Sequence, residues 1–290
     1  MTIRHLCISG GGIAGLTFYG ILREAHNQEF WKLDDIQTMF GSSVGSLVSV
    51  VMCLGYDWDV LDNYFIKRPW NTVFKFDIYS VIQSFDKRGI FGADVIEEVL
   101  SPLFLGKDIP LTITMREFFE LNGVELHMMT TEANTYNNVD ISYLTHPDWR
   151  VIDAVYCSCA VPIVFSPIIR DDECYIDGDA RISYPIHKCI ARAENPDEIF
   201  GLKKEFSEPA FVRNTSTLFD FIMIICANVL RVILGQTSGF IKNEVLVSGN
   251  ILSIDNIIRA TSAREERETM ISRGASLFTS FASSLNSEHT

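Results

Sequence analysis

Gly41-Ser42-Ser43-Val44-Gly45 is the stretch on which the reading of this chain turns. It follows a short apolar strand ending at Met39-Phe40 and opens a nearly all-apolar helix, Val44 to Leu54. The pattern is G-x-S-x-G, in which a small residue on each side of the serine lets the backbone turn sharply from strand to helix and leaves the serine oxygen exposed. Working back toward the N-terminus, His5 to Ser9 reads as a strand and Gly10-Gly11-Gly12 as a turn. Ile13 to Ala25 then reads as a helix, with apolar residues at Leu16, Tyr19 and Leu22. Two strand-turn-helix units within the first 55 residues predict an α/β protein, a three-layer α/β/α sandwich with a mostly parallel central sheet. Sites in such sheets lie beyond the carboxyl ends of the strands.

The glycine turn admits two chemistries. Gly10-x-Gly12-x-x-Gly15 satisfies the dinucleotide fingerprint, and Asp34 or Asp35 lies near the spacing of a ribose-binding carboxylate, so a Rossmann-type oxidoreductase is one alternative. An acyl hydrolase needs both turns, one to present the nucleophile and the other to aim backbone N–H groups at the oxyanion that forms. A dinucleotide enzyme has no use for the second. Farther along, Asp177-Gly178-Asp179 is either ordinary turn chemistry or the source of a base, since Asp bonds its own backbone and Gly tolerates positive φ. None of the six histidines falls in a metal-binding spacing, and only His187 and His289 follow Asp177, the order that a Ser-Asp-His triad would require.

The rest of the chain continues the alternation. Asp57 to Phe65, Ala93 to Phe104, Thr114 to Asn122 and Arg150 to Cys159 read as helices, and Val124 to Thr131, Val139 to Leu144 and Cys174 to Ile176 as strands. Asn134 to Asn138 is expected to be a turn, and Pro162 and Pro167 to mark an extended loop. Ile199 to Leu202 and Val245 to Leu252 are expected as later strands, Lys203 to Thr217 as a loop and Ala263 to Ser284 as a closing helix. Leu218 to Leu234 is apolar but short for a membrane span. Asp220 and Arg231 lie opposite a stripe of Leu218, Ile222, Ile225, Val229 and Val232, so a packed or interfacial helix is expected rather than a membrane anchor.

Composition narrows the partners. The 290 residues carry a formal net charge of −13 with no local run of Lys or Arg, which repels polyanions, and nucleic acid is not an expected partner. Contact with a membrane surface is expected to be transient and to use apolar groups. Seven cysteines without a C-x-x-C pair suit buried reduced thiols better than a disulfide or zinc framework. No apolar run of signal-peptide length follows Met1, so a cytoplasmic setting is expected, peripheral to membranes. One domain over 1–290 accounts for the length, with a motif-bearing core of about 5–190 and C-terminal strands and helices over about 197–285.

Taken in order, Gly10 to Gly15, Gly41 to Gly45 and Asp177-Gly178 give a chain that resembles the patatin-like phospholipases. Arg88-Gly89-Ile90-Phe91, the strand Val124 to Thr131, the small-residue run Cys157-Ser158-Cys159-Ala160-Val161-Pro162 and the Gly274-containing last helix are similar to the same family. Three departures stand out: Ala14 where the family often has Arg or Lys, Asp179 in place of a more usual Gly or Ala, and Ser183-Tyr184-Pro185 where Asn-Asn-Pro is common. The resemblance implies a lipid acyl hydrolase of phospholipase A type, without metal or other cofactor. It implies Ser43 as nucleophile, Asp177 as its base without a histidine, Gly10, Gly11 and Gly12 as the oxyanion loop, and Gly41 and Gly45 as the flanks of the elbow. The substrate it implies is a glycerophospholipid or related ester, with Val161, Ile163, Val164 and Phe165 either near the site or part of the core. A non-catalytic lipid-binding protein on the same fold is a further alternative.

Overall fold

Pleating of the first strand decides how the layers stack. In β1 (His5–Ile8) the side chains of Leu6 and Ile8 enter the large core on one side of the sheet, while Cys7 enters a small second core on the other. The computed structural model describes residues 2–75, 78–205, 211–234, 241–249 and 254–287. After β1 come a glycine turn, α1 (Gly15–Asn27), β2 (Thr38–Ser42) and α2 (Val44–Cys53). Then follow α3 (Trp58–Lys67), α4 (Ile78–Lys87), β3 (Gly89–Phe91), α5 (Ala93–Leu105), α6 (Met115–Asn122), β4 (Glu125–Glu132) and β5 (Asn137–Ile141). The second half holds α7 (Val151–Cys159), β6 (Ile163–Phe165), β7 (Ile168–Arg170), β8 (Glu173–Asp177), α8 (Ile186–Arg192) and β9 (Ile199–Glu205). It closes with α9 (Leu218–Leu234), β10 (Glu244–Ser248), α10 (Ile254–Ser262) and α11 (Arg264–Ser287).

The main sheet runs β10-β9-β1-β2-β4-β8-β7, with β5 also on β4. From β10 to β4 every pairing is parallel, and the pairings among β4, β5, β7 and β8 are antiparallel. Met39, Met128, Phe200 and Leu202 join Leu6 and Ile8 under α1, α2, α7 and α11, whereas Phe40, Met129 and Ile199 join Cys7 under α8. Helices therefore flank a mostly parallel sheet on both faces, as the alternating pattern predicts.

Strand β4 acts as the ruler of the fold. Its Met129 lies opposite Ser42 on the parallel side, and its Thr130 lies opposite Asp177 on the antiparallel side. Residues distant in sequence are thereby set at one level of the sheet.

Local signals fix several elements. Helix α6 starts on a capping box in which Thr114 and Glu117 satisfy each other's backbone N–H, and it ends at Gly123 with φ of 73°. Helices α1 and α11 touch backbone to backbone: a Cβ on Gly20 would lie 2.1 Å from the Ile271 carbonyl oxygen, and one on Gly274 would lie 2.2 Å from that of Thr17. Only glycine allows so close an approach.

Several expected boundaries move. The strand from Ile199 continues through Glu205, because its register with β10 extends that far, so the start of the expected 203–217 loop is strand. Of that loop, 206–210 lie outside the described residues, as do 250–252 of the strand expected over Val245 to Leu252. The segment between Pro162 and Pro167 contains β6, which pairs with β3 in a separate two-stranded sheet. Helices α4 and α10 are additions to the sequence reading. Helix α9 has the expected bounds; among the described residues Leu218, Ile225 and Val229 of its stripe are exposed, as is the neighbouring Phe221, while Ile222 is half-buried. Among the described residues no helix is long and apolar enough to cross a membrane.

Candidate active site

The turn between β2 and α2 holds Ser43 at φ 50° and ψ −127°, a conformation that L side chains rarely adopt. Its neighbours explain why it is tolerated. A Cβ on Gly41 would lie 2.5 Å from the Ser46 nitrogen, and one on Gly45 would lie 2.3 Å from the Ile8 carbonyl oxygen, so neither flank accepts a side chain. The Ser43 N–H donates to Ser158 Oγ at 3.0 Å, and Ser158 Oγ donates to the Met129 carbonyl at 2.6 Å. Ser158 is fully buried, and it pins the strained turn to β4 from within α7.

The hydroxyl of Ser43 donates to Asp177 Oδ2 at 2.6 Å. The other carboxylate oxygen, Oδ1, accepts the backbone N–H of Asp179 at 2.7 Å, and the Asp177 N–H donates to the Ala160 carbonyl at 2.9 Å. Asp177 is only 1% exposed. Burial, followed by the charge of Asp179, pushes its pKa well above the usual carboxylate range, against the opposing pull of the bonds from Ser43 and the Asp179 N–H. The result is a carboxylate with an unusually high affinity for a proton, already bonded to a serine.

Beside this pair runs the glycine turn. The Gly10 N–H donates to the Ser183 carbonyl at 2.9 Å and is thereby occupied, and the Ala14 N–H donates to the Gly11 carbonyl at 3.2 Å. Gly12, with φ of 56°, takes a left-handed conformation. Among the described residues, the N–H groups of Gly11 and Gly12 donate to no protein acceptor. The N–H of Val44, at the first position of α2, is likewise left over by the helix. The tether to Ser183 is a backbone one, so serine serves at this position.

Ser43 and Gly12 form one wall of an apolar cavity of about 220 Å³. This exceeds the ~150 Å³ void that admits a benzene ring. Val161, Val164 and Phe165 line it as expected, Ile163 does not, and Phe65, Trp70 and Val99 extend it into the core. Arg267 also borders the cavity, but its guanidinium donates to the carbonyls of Ile66, Ala260 and Ala263, so its charge serves helix ends rather than a ligand.

The dinucleotide alternative does not survive this geometry. Asp34 and Asp35 are exposed on a short turn that precedes β2, so they lie at the opposite end of the sheet from the glycine turn that follows β1. A ribose-binding carboxylate has to stand at the carboxyl end of that strand. No histidine is a hydrogen-bond partner of Ser43 or Asp177 among the described residues, and His187 is exposed on α8. Among the described residues no three His, Cys, Asp or Glu side chains are placed to hold a metal ion either.

Residues 6–190 match the family model for patatin-like phospholipases. The chain belongs to that family. The patatin-like segment includes Gly10 to Gly12, Ser43, Ser158 and Asp177, and stops before β9. Over 188 residues the chain is 28% identical to the probable lipid hydrolase 463L of Invertebrate iridescent virus 6, covering 64% of this chain and 63% of that one. Over 184 residues it is 27% identical to the uncharacterized protein R571 of Acanthamoeba polyphaga mimivirus, covering 63% and 60%. It thus spans about three-fifths of the length of these curated relatives. The solved structure of VipD from Legionella pneumophila is similar to it with a TM-score of 0.53 at 14% identity, covering 98% of this chain and 67% of VipD, which is a likeness of fold.

Ser158, the Ser183 carbonyl and Lys204 complete the surroundings of the site without having been singled out as its parts by sequence reasoning. For Ser158 a signal existed, the run of small residues before Pro162.

Proposed function

We propose that this patatin-like protein is a phospholipase A-type lipid acyl hydrolase in which Ser43 is the nucleophile and Asp177 its base. The observation that carries the reading is the 2.6 Å bond between Ser43 Oγ and a buried carboxylate at the wall of an apolar cavity. Membership of the family and likeness to a probable lipid hydrolase support it.

In the first half-reaction Ser43 Oγ bonds to the ester carbonyl carbon while Asp177 Oδ2 takes the hydroxyl proton. The carbonyl electron pair moves onto oxygen, where the N–H groups of Gly11, Gly12 and Val44 are the available donors. The intermediate collapses by expelling the alcohol, which leaves with the proton from Asp177, and an acyl-Ser43 remains. Water reverses the sequence and releases the fatty acid. A carboxylate of ordinary acidity is a poor base toward serine, and the burial of Asp177 offsets this by raising its proton affinity. The acyl chain occupies the cavity, and a glycerophospholipid is the proposed source.

Helix α9 supports transient contact with a lipid surface. Its exposed Leu218, Phe221, Ile225 and Val229 form an apolar stripe on a chain whose net charge of −13 disfavours anionic lipid. Reversible binding to phosphatidylcholine vesicles is expected, and recovery only in detergent would contradict it.

The test of the hydrolase reading is fatty-acid release from a panel of lipid classes, with fluorophosphonate labelling alongside, in wild type and Ser43→Ala. Release and labelling by the wild type alone are expected. Equal turnover in both proteins would remove Ser43 from the mechanism, and a folded wild type that neither labels nor turns over lipid would be a lipid-binding protein on a hydrolase fold.

A further inference from the structure

Each of the two unused N–H groups on the glycine turn belongs to a peptide whose carbonyl is held. The peptide plane joins the carbonyl of one residue to the N–H of the next in a rigid trans unit, so fixing the oxygen also fixes the direction of the hydrogen. The Gly11 carbonyl, in the same plane as the Gly12 N–H, accepts from Lys204 Nζ at 3.4 Å. The Gly10 carbonyl, in the same plane as the Gly11 N–H, accepts from Ser9 Oγ at 3.0 Å, and Ser9 Oγ in turn accepts the backbone N–H of Lys204 at 2.8 Å. The Gly11 carbonyl also accepts the Ala14 N–H within the turn, at 3.2 Å, but both side-chain holds lead back to one residue of β9.

The stem of Lys204 packs on the same turn. A Cβ on Gly11 would lie 2.8 Å from Lys204 Cδ, and one on Gly249 would lie 3.1 Å from Lys204 Cε. On the other side of the turn, the Asp179 carboxylate is seated on Gly10, whose added Cβ would fall 1.7 Å from Oδ1. A buried ammonium is costly, and a methionine would fill the same space without that cost. What methionine cannot do is donate to the Gly11 carbonyl.

The geometry points to Lys204 as a positioning residue of the hydrolase, one whose ammonium aims the Gly12 N–H at the oxyanion by holding the Gly11 carbonyl and whose backbone N–H steadies Ser9 on the Gly10 carbonyl behind the Gly11 N–H, with Asp179 as its counter-charge. The inference rests on the reading of Ser43 and Asp177 proposed above. It extends the site beyond the family-matched segment into β9. A donor on the carbonyl also polarises the peptide, which strengthens its N–H as a donor in turn.

The arrangement has a pH signature. Burial pulls the Lys204 pKa down to about 8, against the charge of Asp179, which raises it. Among the described residues, the charge that acts on Lys204 is Asp179 from the turn after β8, with Asp177 bonded to the Asp179 N–H behind it and Glu205 next in sequence along β9. Glu244 of β10 engages Tyr184 and Lys203, and Arg273 of α11 donates to the Ser248 carbonyl. As pH rises through about 8, Lys204 loses its charge and the hold on Gly11 weakens.

The experiment compares wild type, Lys204→Met and Lys204→Arg in turnover of a soluble p-nitrophenyl ester from pH 6 to 10, with Ser43→Ala as the control. Lys204→Met is expected to lose about 100-fold in kcat with KM little changed, as misaimed donors do. Lys204→Arg is expected to recover most of that loss and to keep its activity above pH 8, where the wild type declines, because guanidinium does not deprotonate. A Lys204→Met protein with wild-type kcat would overturn the inference, and so would an alkaline decline that persists unchanged in Lys204→Arg. If Lys204→Met does not fold, the alkaline limb of Lys204→Arg decides alone. Equal turnover in wild type and Ser43→Ala would instead mean that the underlying hydrolase reading has failed.

Discussion

Two buried ionisable clusters flank β4, and they are built on opposite principles. At one, His127 lies between two carboxylates: Nδ1 meets Asp140 at 3.0 Å and Nε2 meets Glu125 at 2.7 Å, while Arg192 donates to Glu125 as well. Ionised carboxylates only accept, so the arrangement favours donation by both ring nitrogens and with it the imidazolium form, in line with the raised pKa of His127. It stacks on Phe40 with ring centroids 4.1 Å apart. At the other cluster, Asp177 is buried with a hydroxyl, an amide and a second carboxylate as its company. Pairing leaves the first cluster chemically inert and structurally useful. At the second the cation, Lys204, acts on Asp179 rather than on Asp177, which leaves Asp177 a carboxylate that seeks a proton.

The contrast breaks first at Asp177. Asp177→Asn is expected to lower turnover by about 10³-fold and to suppress fluorophosphonate labelling, with little loss in urea midpoint. His127→Gln should do the reverse, keeping ester turnover while destabilising the fold by about 2 kcal/mol in urea unfolding, because the carboxylates that it leaves behind keep Arg192 and Lys188 nearby. Similar activity losses in both variants would erase the distinction.

The His127 cluster also has a sign in pH. Burial pulls its pKa down, but the bonds and charges of Asp140 and Glu125 together raise it above 6.5. The stabilisation is therefore fully present below the unfolded value near 6.5 and is lost as pH rises through the folded one. Wild type should lose stability between pH 6 and 9, and His127→Gln should lose less over the same range. A wild-type midpoint that rises with pH while the variant's stays flat would contradict the imidazolium.

Ser158→Ala sharpens the comparison from the site's own side. It frees the Ser43 N–H and the Met129 carbonyl, and is expected to reduce turnover about 10-fold and stability by about 1–2 kcal/mol. The smallest effect concerns strain at Ser43. Ser43→Gly and Ser43→Ala should both be inactive, yet the glycine variant should be the more stable by about 1 kcal/mol in thermal unfolding, since only glycine adopts φ 50° freely.

What the sequence carried depended on range. Gly41, Ser43, Gly45 and Asp177 announce themselves through local turn chemistry, and strand β1 through its apolar run. Ser158 shows only as one of a run of small residues and Lys204 not at all, because their roles rest on contacts 115 and 193 residues away along the chain. Ser183 acts through its carbonyl, which no side-chain motif encodes. Helix α4 is a different case: Ile78, Val81, Ile82 and Phe85 carry a helical period, so it was legible from its own residues. The exposed stripe of α9 could not be read, since periodicity says which residues share a face but not whether anything covers it.

The ruler function of β4 has a consequence for biosynthesis. Ser43 and Asp177 are joined across 134 residues, through two strand pairings that β4 alone connects, and Lys204 arrives later still, on β9. On the proposed mechanism a growing chain therefore carries Ser43 from the second β-turn-α unit onward, but without the carboxylate that would take its proton or the strand that would aim the glycine turn. On this mechanism, reactivity toward acyl esters waits until β8 and β9 have been made, so the order of the strands along the chain doubles as a delay on that chemistry.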